Sequence, residues 1–186
     1  LEDRQIPAFD RKQFGFTVSG PIIMDKLWFF FGYDAQRQDG SLYNEFAHYA
    51  SGYDRFAAAF PEIVAANEGW WGTTEDNDVY FLKIDWQIND AHRASFRLNR
   101  QEFEAVNGTS SYTTTGVTGN GLEEDDSTSF VAELTSMIGD DKFNELRVQW
   151  SKEERPRTAN FTDYPEVQIG SSYYAVFGQN QYLPNW

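Results

Sequence analysis

A chain of 186 residues with 40% hydrophobic side chains is one ordinary domain or part of a larger one. Its net charge of −14 excludes a nucleic-acid backbone as partner, because that needs clustered Lys and Arg, and the absence of cysteine excludes disulfide frameworks and thiolate sites. No apolar run has the length of a membrane helix, the densest being Leu27 to Tyr33, so this chain would cross a membrane only as a β-barrel.

Leu1 to Lys12 is polar, contains Pro7 and follows neither period, so it reads as a connection into the first strand. From Gln13 to Arg37 two alternating runs meet at a reversal bracketed by Gly20-Pro21 and Met24-Asp25-Lys26. Successive strand side chains leave opposite faces, which puts Phe14, Phe16 and Val18 on one side and Gln13, Thr17 and Ser19 on the other. Leu27, Phe29, Phe31, Tyr33 and Ala35 continue that apolar row, opposite Trp28, Phe30, Gly32, Asp34 and Gln36. The pattern is a hairpin with one greasy face.

Beyond it, about Gln38 to Asn77 reads as a long loop. Within this loop Phe56, Ala59, Phe60, Ile63 and Val64 recur at spacings of three and four, which predicts a short helix interrupted at Pro61 and folded back over an opening. Trp70 and Trp71, between Gly69 and Gly72, are candidate ligand-stacking residues, with anchoring of the loop helix as the structural alternative.

A second hairpin spans about Asp78 to Glu104, with its turn at Asn89-Asp90. Tyr80, Leu82, Ile84, Trp86 and Ile88, then Ala94, Phe96 and Leu98, share the apolar face, and Lys83, Asp85, Arg93 and Arg97 the other. The following segment, about Ala105 to Ser127, is rich in Gly, Ser, Thr and acids and reads as a mobile external loop. A third hairpin, about Thr128 to Arg155, turns at Gly139-Asp140-Asp141-Lys142. Its apolar row is Phe130, Ala132, Leu134, Ile138, Leu146, Val148 and Trp150, opposite Glu133, Glu145 and Arg147. The tail from Pro156 holds a short alternating piece, Glu166 to Ile169, and Tyr173 and Tyr174 as further candidate ligand contacts; it ends inside a loop-like stretch, so both chain ends look cut.

Six strands of about ten residues or more are long against a usual five to six. Tilted about 45°, a strand of about eleven residues spans roughly 25 Å, the height of an outer-membrane apolar band. Short reversals at one end and long loops at the other complete the pattern of an antiparallel transmembrane β-barrel wall: six strands as three hairpins, with short periplasmic turns and long extracellular loops. Asp34, Lys83, Asp85, Arg97, Glu133 and Arg147 then face a wet lumen, where the ordinary role is cross-strand pairing. Trp86 near a turn, and Tyr33, Tyr80 and Trp150 towards the loops, suit interfacial girdles. Alternation alone also fits a soluble secreted β-sandwich, an adhesion or carbohydrate-binding module whose second sheet would cover Phe14, Phe29, Leu82, Phe96 and Leu134.

The acidic runs Glu75-Asp76-Asn77-Asp78 and Glu123-Glu124-Asp125-Asp126 lack the EF-hand spacing and read as a solvated rim; no metal or other cofactor is expected. His48 and His92 lie in different segments with no nucleophile motif, so no catalysis is expected.

The run RKQFGFTVSGPIIMDKLWFFFGYDAQR, with its QFG, SGPI and DKLWFFFGY segments, resembles the early barrel of TonB-dependent outer-membrane receptors, most closely the Oar-like branch. LKIDWQINDAHRASFRLNRQ, FNELRVQWSKEERP and YPEVQIG are similar to successive hairpins of the same region, so residues 1–186 look like part of such a barrel. The resemblance implies a 22-stranded barrel closed by an amino-terminal plug, in the outer membrane of a Gram-negative bacterium. It also implies uptake of an extracellular ligand driven by the TonB complex, through segments that this stretch does not contain.

Overall fold

The computed structural model describes residues 8–46, 52–170 and 175–180. Six long strands alternate with loops: β1 (Phe9–Ile23), β2 (Leu27–Asn44), β3 (Gly69–Asn89), β4 (His92–Val106), β5 (Gly121–Ile138) and β6 (Lys142–Glu154). They form one antiparallel sheet in the order of the chain, each strand hydrogen-bonded to its sequence neighbours. A short β7 (Arg157–Ala159) resumes the line of β6 against β5. Between β2 and β3 lie α1 (Tyr53–Ala59) and α2 (Pro61–Asn67), broken at the proline as the spacing predicts. Two further short strands, β8 (Val167–Ile169) and β9 (Ala175–Phe177), pair with each other and bear out the alternation at Glu166 to Ile169.

The tight reversals fall where expected, with left-handed backbone at Asp25 and Gly139. The strands, however, run well past the expected hairpin ends. β3 has 21 residues and β2 and β5 have 18 each, so Gln38 to Asn44, Gly69 to Asn77 and Gly121 to Ser127 are strand and not loop. The physical reason is that above the apolar band both faces are wet. Alternation disappears there while ladder hydrogen bonding continues, and the composition then imitates a loop.

Register fixes the faces. Val18, Phe31, Leu82, Leu98, Phe130 and Trp150 are successive partners across the six strands, and Gly20, Phe29, Ile84, Phe96, Ala132 and Val148 form the next row. No second layer covers these rows: Val18 is 47% exposed, Trp150 54% and Val148 56%. An apolar face crossing a whole sheet far exceeds the few hundred Å² that soluble monomers expose. The β-sandwich expectation fails here, because the one other sheet among the described residues is the small β8–β9 pair, and it does not cover this row. Among the described residues β1 and β6 are each paired on one side only.

Candidate functional site

The sheet's two faces divide the work. At the outer end of the apolar rows the Tyr33 ring packs at a tilt against Tyr80, centroids 5.1 Å apart, and its hydroxyl donates to Asp78. Asp78 also accepts two hydrogen bonds from Arg37, at 2.7 and 2.8 Å. An amphipathic ring topped by an ion pair fits the boundary between hydrocarbon and headgroups. Trp86 lies in the opposite apolar row, next to the turns, as the girdle reading expects.

On the other face stand the polar residues expected to look inward. Lys83 pairs with Asp85 at 2.6 Å, and Arg147 with Glu133 at 2.8 Å and Glu145 at 3.1 Å. Asp34 accepts from the Gln13 amide at 3.0 Å, while Arg97 sits opposite Lys83 in the β3–β4 register. Arg147–Glu133 and Gln13–Asp34 pair across neighbouring strands, whereas Lys83–Asp85 and Arg147–Glu145 pair along one strand, so both kinds of surface pairing occur on this face. The same face carries an aromatic cluster: Phe30 packs edge-on against Phe81 at 5.6 Å, and Trp28 and Phe30 are 37% and 36% exposed.

At the outer end the long connections do not stay separate. Phe46, Tyr53, Ala175 and Phe177 form a buried cluster joined by Phe56, Ile63, Val64, Tyr164 and Ile169, so the loop after β2 and the tail after β7 share one small core. Of the helix residues picked from spacing, Phe56, Ile63 and Val64 face that core, whereas Phe60 is exposed. The loop after β4, expected to be mobile, is instead stitched in by hydrogen bonds. Asn67 Oδ1 accepts from the Thr118 hydroxyl at 2.6 Å, and Val176 accepts from Gly116 N–H at 2.8 Å and donates its N–H to Thr114 O at 3.0 Å. Asn120 Oδ1 accepts from Thr109 N–H, the Thr109 hydroxyl, Ser110 N–H and Gly121 N–H, and its amide donates to Ser110 O at 2.9 Å. A side chain at Gly116 would put its Cβ 2.5 Å from that of Asn67, so only glycine allows the two loops to approach this closely. The result is a cap on the outer end of the wall.

Burial, with the adjacent Glu68 carboxylate next in weight, pushes the Tyr53 hydroxyl up to about 12. Sequence reasoning missed Asn67, Thr118 and Asn120, because their partners come from other loops and no local pattern announces them.

The candidate ligand residues separate. Trp70 and Trp71 belong to β3, on opposite faces: Trp70 packs on Tyr43 at 5.1 Å on the face of the apolar rows, and Trp71 points to the inner side. Trp71 Nε1 and both polar atoms of the nearby Asn44 are buried without hydrogen-bond partners among the described residues. Tyr173 and Tyr174 lie outside the described residues, as does His48. His92 Nδ1 meets Ser136 Oγ at 2.9 Å across the β4–β5 pair, a structural contact beside a turn.

The acidic runs lie on strands. Asp76, Asp78, Glu102, Glu104, Glu124 and Asp126 line an open cleft of about 260 Å³ on the outward face above the apolar band. Among the described residues no group of three or more acidic or histidine side chains is arranged to hold a metal ion.

A single sheet with one uncovered apolar face, one charged face, short turns at one end and long connections at the other is a wall segment of a transmembrane β-barrel. Residues 2–48, which contain the whole β1–β2 hairpin, match the family model described as an outer membrane beta barrel domain. The chain is accordingly barrel wall of an outer-membrane protein of a Gram-negative bacterium. No curated protein matches it.

Proposed function

We propose that the chain is part of the wall and extracellular vestibule of a TonB-dependent receptor of the Oar-like branch, which takes up its ligand by active transport. The observation that carries this reading is the aromatic cluster on the inner face. Trp28, Phe30 and Phe81 stand among charges on that face, and Trp28 and Phe30 are more than a third exposed. A wide water-filled lumen would leave them wet, whereas a folded plug inside the barrel would bury them, at about 25 cal/mol for each Å² covered. The cap supports the same reading, since a vestibule that grips a ligand needs loops held in fixed relation. In this reading the partners are outer-membrane lipid, an extracellular ligand, and the TonB complex acting through segments outside this stretch. The chain itself performs no chemical step.

The test uses the full-length protein in its own outer membrane, in a cysteine-free background. Phe30→Cys is exposed to a small membrane-impermeant maleimide, and the protein is cross-linked in cells to TonB. Slow labelling together with a TonB cross-link is expected. Rapid labelling without a cross-link identifies an open pore and rejects the receptor.

A further inference from the structure

We propose that the outward-facing pair Tyr43–Trp70 is a stacking platform for neutral sugar rings of the polysaccharide standing on the outer leaflet. This goes beyond ligand uptake and rests only on which face of the wall meets lipid. Tyr43 and Trp70 are direct partners in the β2–β3 register, on the same side as Phe31 and Leu82. They are therefore continuous with the lipid-contacting surface and turned away from the vestibule. Counting up the strand, they stand about 23 Å beyond the Tyr33–Tyr80 row, well clear of the hydrocarbon, at roughly 2.3 Å of height per tilted residue. At that height, outside a barrel, the membrane offers carbohydrate.

The local build suits such a ligand. Among the described residues β1 pairs with β2 only as far as Gly40 and β4 with β3 only as far as Thr74, where the Asn107 amide still donates to Gly72 O at 2.7 Å; beyond these points Ser41–Asn44 and Gly69–Thr73 pair with each other as a two-stranded ribbon. The two rings are 42% and 39% exposed although they touch each other. A Cβ at Gly72, the next position on the face of Trp70, would meet nothing within 4 Å, so no side chain crowds the ring from that position. Exposed flat rings with polar edges match the alternating apolar and hydroxyl faces of a pyranose. Charge sets the class of sugar. Asp76, Glu104 and Glu124 face outward below the platform, with Arg37 as their near cation at 3.7 Å from Asp76. Their field disfavours phosphorylated or acidic saccharides and leaves the neutral ones.

The experiment places the full-length protein in vesicles containing either long-chain lipopolysaccharide with a neutral repeat or deep-rough lipopolysaccharide trimmed to its acidic inner sugars. Acrylamide quenching of Trp70 is obtained as the difference between the wild type and Trp70→Phe. Quenching about threefold weaker in the long-chain vesicles is expected, as for a ring covered most of the time. Tyr43→Ala removes that protection and Tyr43→Phe keeps it. Equal quenching in both vesicles, protection already complete in deep-rough vesicles, or protection that survives Tyr43→Ala overturns the proposal. Heat-modifiable gel migration reports barrel formation separately, so loss of the barrel in the wild type would fault the wall reading and not the platform.

Discussion

Placing a charge at Leu82 tests the lipid-facing assignment at its centre. Leu82 lies in the row Val18, Phe31, Leu82, Leu98, Phe130 and Trp150, between the boundary pair Tyr33–Tyr80 and the turn-side row of Leu27 and Trp86. Arginine near the midplane of a barrel's lipid face costs about 2–4 kcal/mol, against about 0–1 near an interface. The larger figure corresponds to a roughly 30- to 900-fold shift in the folding equilibrium. Leu82→Arg is therefore expected to lower the urea midpoint of the barrel in vesicles, read by gel mobility without heating. Lys83→Gln, one residue away on the other face, loses an ion pair with Asp85 in which Lys83 is 37% exposed, and is expected to change little. Arginine at Phe14, two rows further out beside Ala35, should fall between them. If Leu82→Arg and Lys83→Gln shift the midpoint equally, the apolar row does not face lipid.

Three further outcomes concern the cap and its base. Gly116→Ala, which drives a Cβ into Asn67, is expected to open the cap to limited proteolysis in the loops by an order of magnitude or so while the wall stays folded; an unchanged cleavage pattern counts against the stitched cap. The Tyr53 hydroxyl titrates near 10 when the cap is open and at about 12 when closed, so its contribution is fully present below pH 10 and is lost as pH rises from 10 to about 12. That loss is on the order of 2–3 kcal/mol, and Tyr53→Phe should abolish this alkaline step in tryptophan fluorescence. Asn44→Leu replaces a fully buried amide that has no partner among the described residues, so it is expected to leave thermal stability unchanged or raised by about 1 kcal/mol, where the usual polar-to-apolar change in a hydrogen-bonded site lowers it.

The sheet's inner two-thirds is legible because lipid enforces strict alternation: Phe29, Phe31, Leu82 and Leu98 have one permissible side, and a slip by one residue would turn all of them inward. Asp76, Glu102, Glu104 and Glu124 are equally regular strand residues, yet water on both faces removes the penalty that alternation reports. The helix break at Pro61 is legible from a local rule about proline. Asn120 is not, since its five hydrogen bonds reach back to Thr109 and Ser110 and on to Gly121, and a sequence rich in Gly, Ser and Thr looks the same whether or not such a hub forms. The pair Trp70-Trp71 reads as one aromatic feature, but a strand's period of two sends its members to opposite sides.

The unequal connections also set an order of events as the chain folds. Residues 24–26 close the β1–β2 pair, whereas residues 45–68 must close before β2 meets β3. A loop about eightfold longer raises the entropic cost of closure by roughly 2 kcal/mol. Each tight-turned hairpin is therefore expected to zip independently, and zipping between hairpins waits until the cap's small core repays the longer closure. The Phe46–Phe177 cluster then acts as a late clasp, drawing already formed hairpins into register from the outer end.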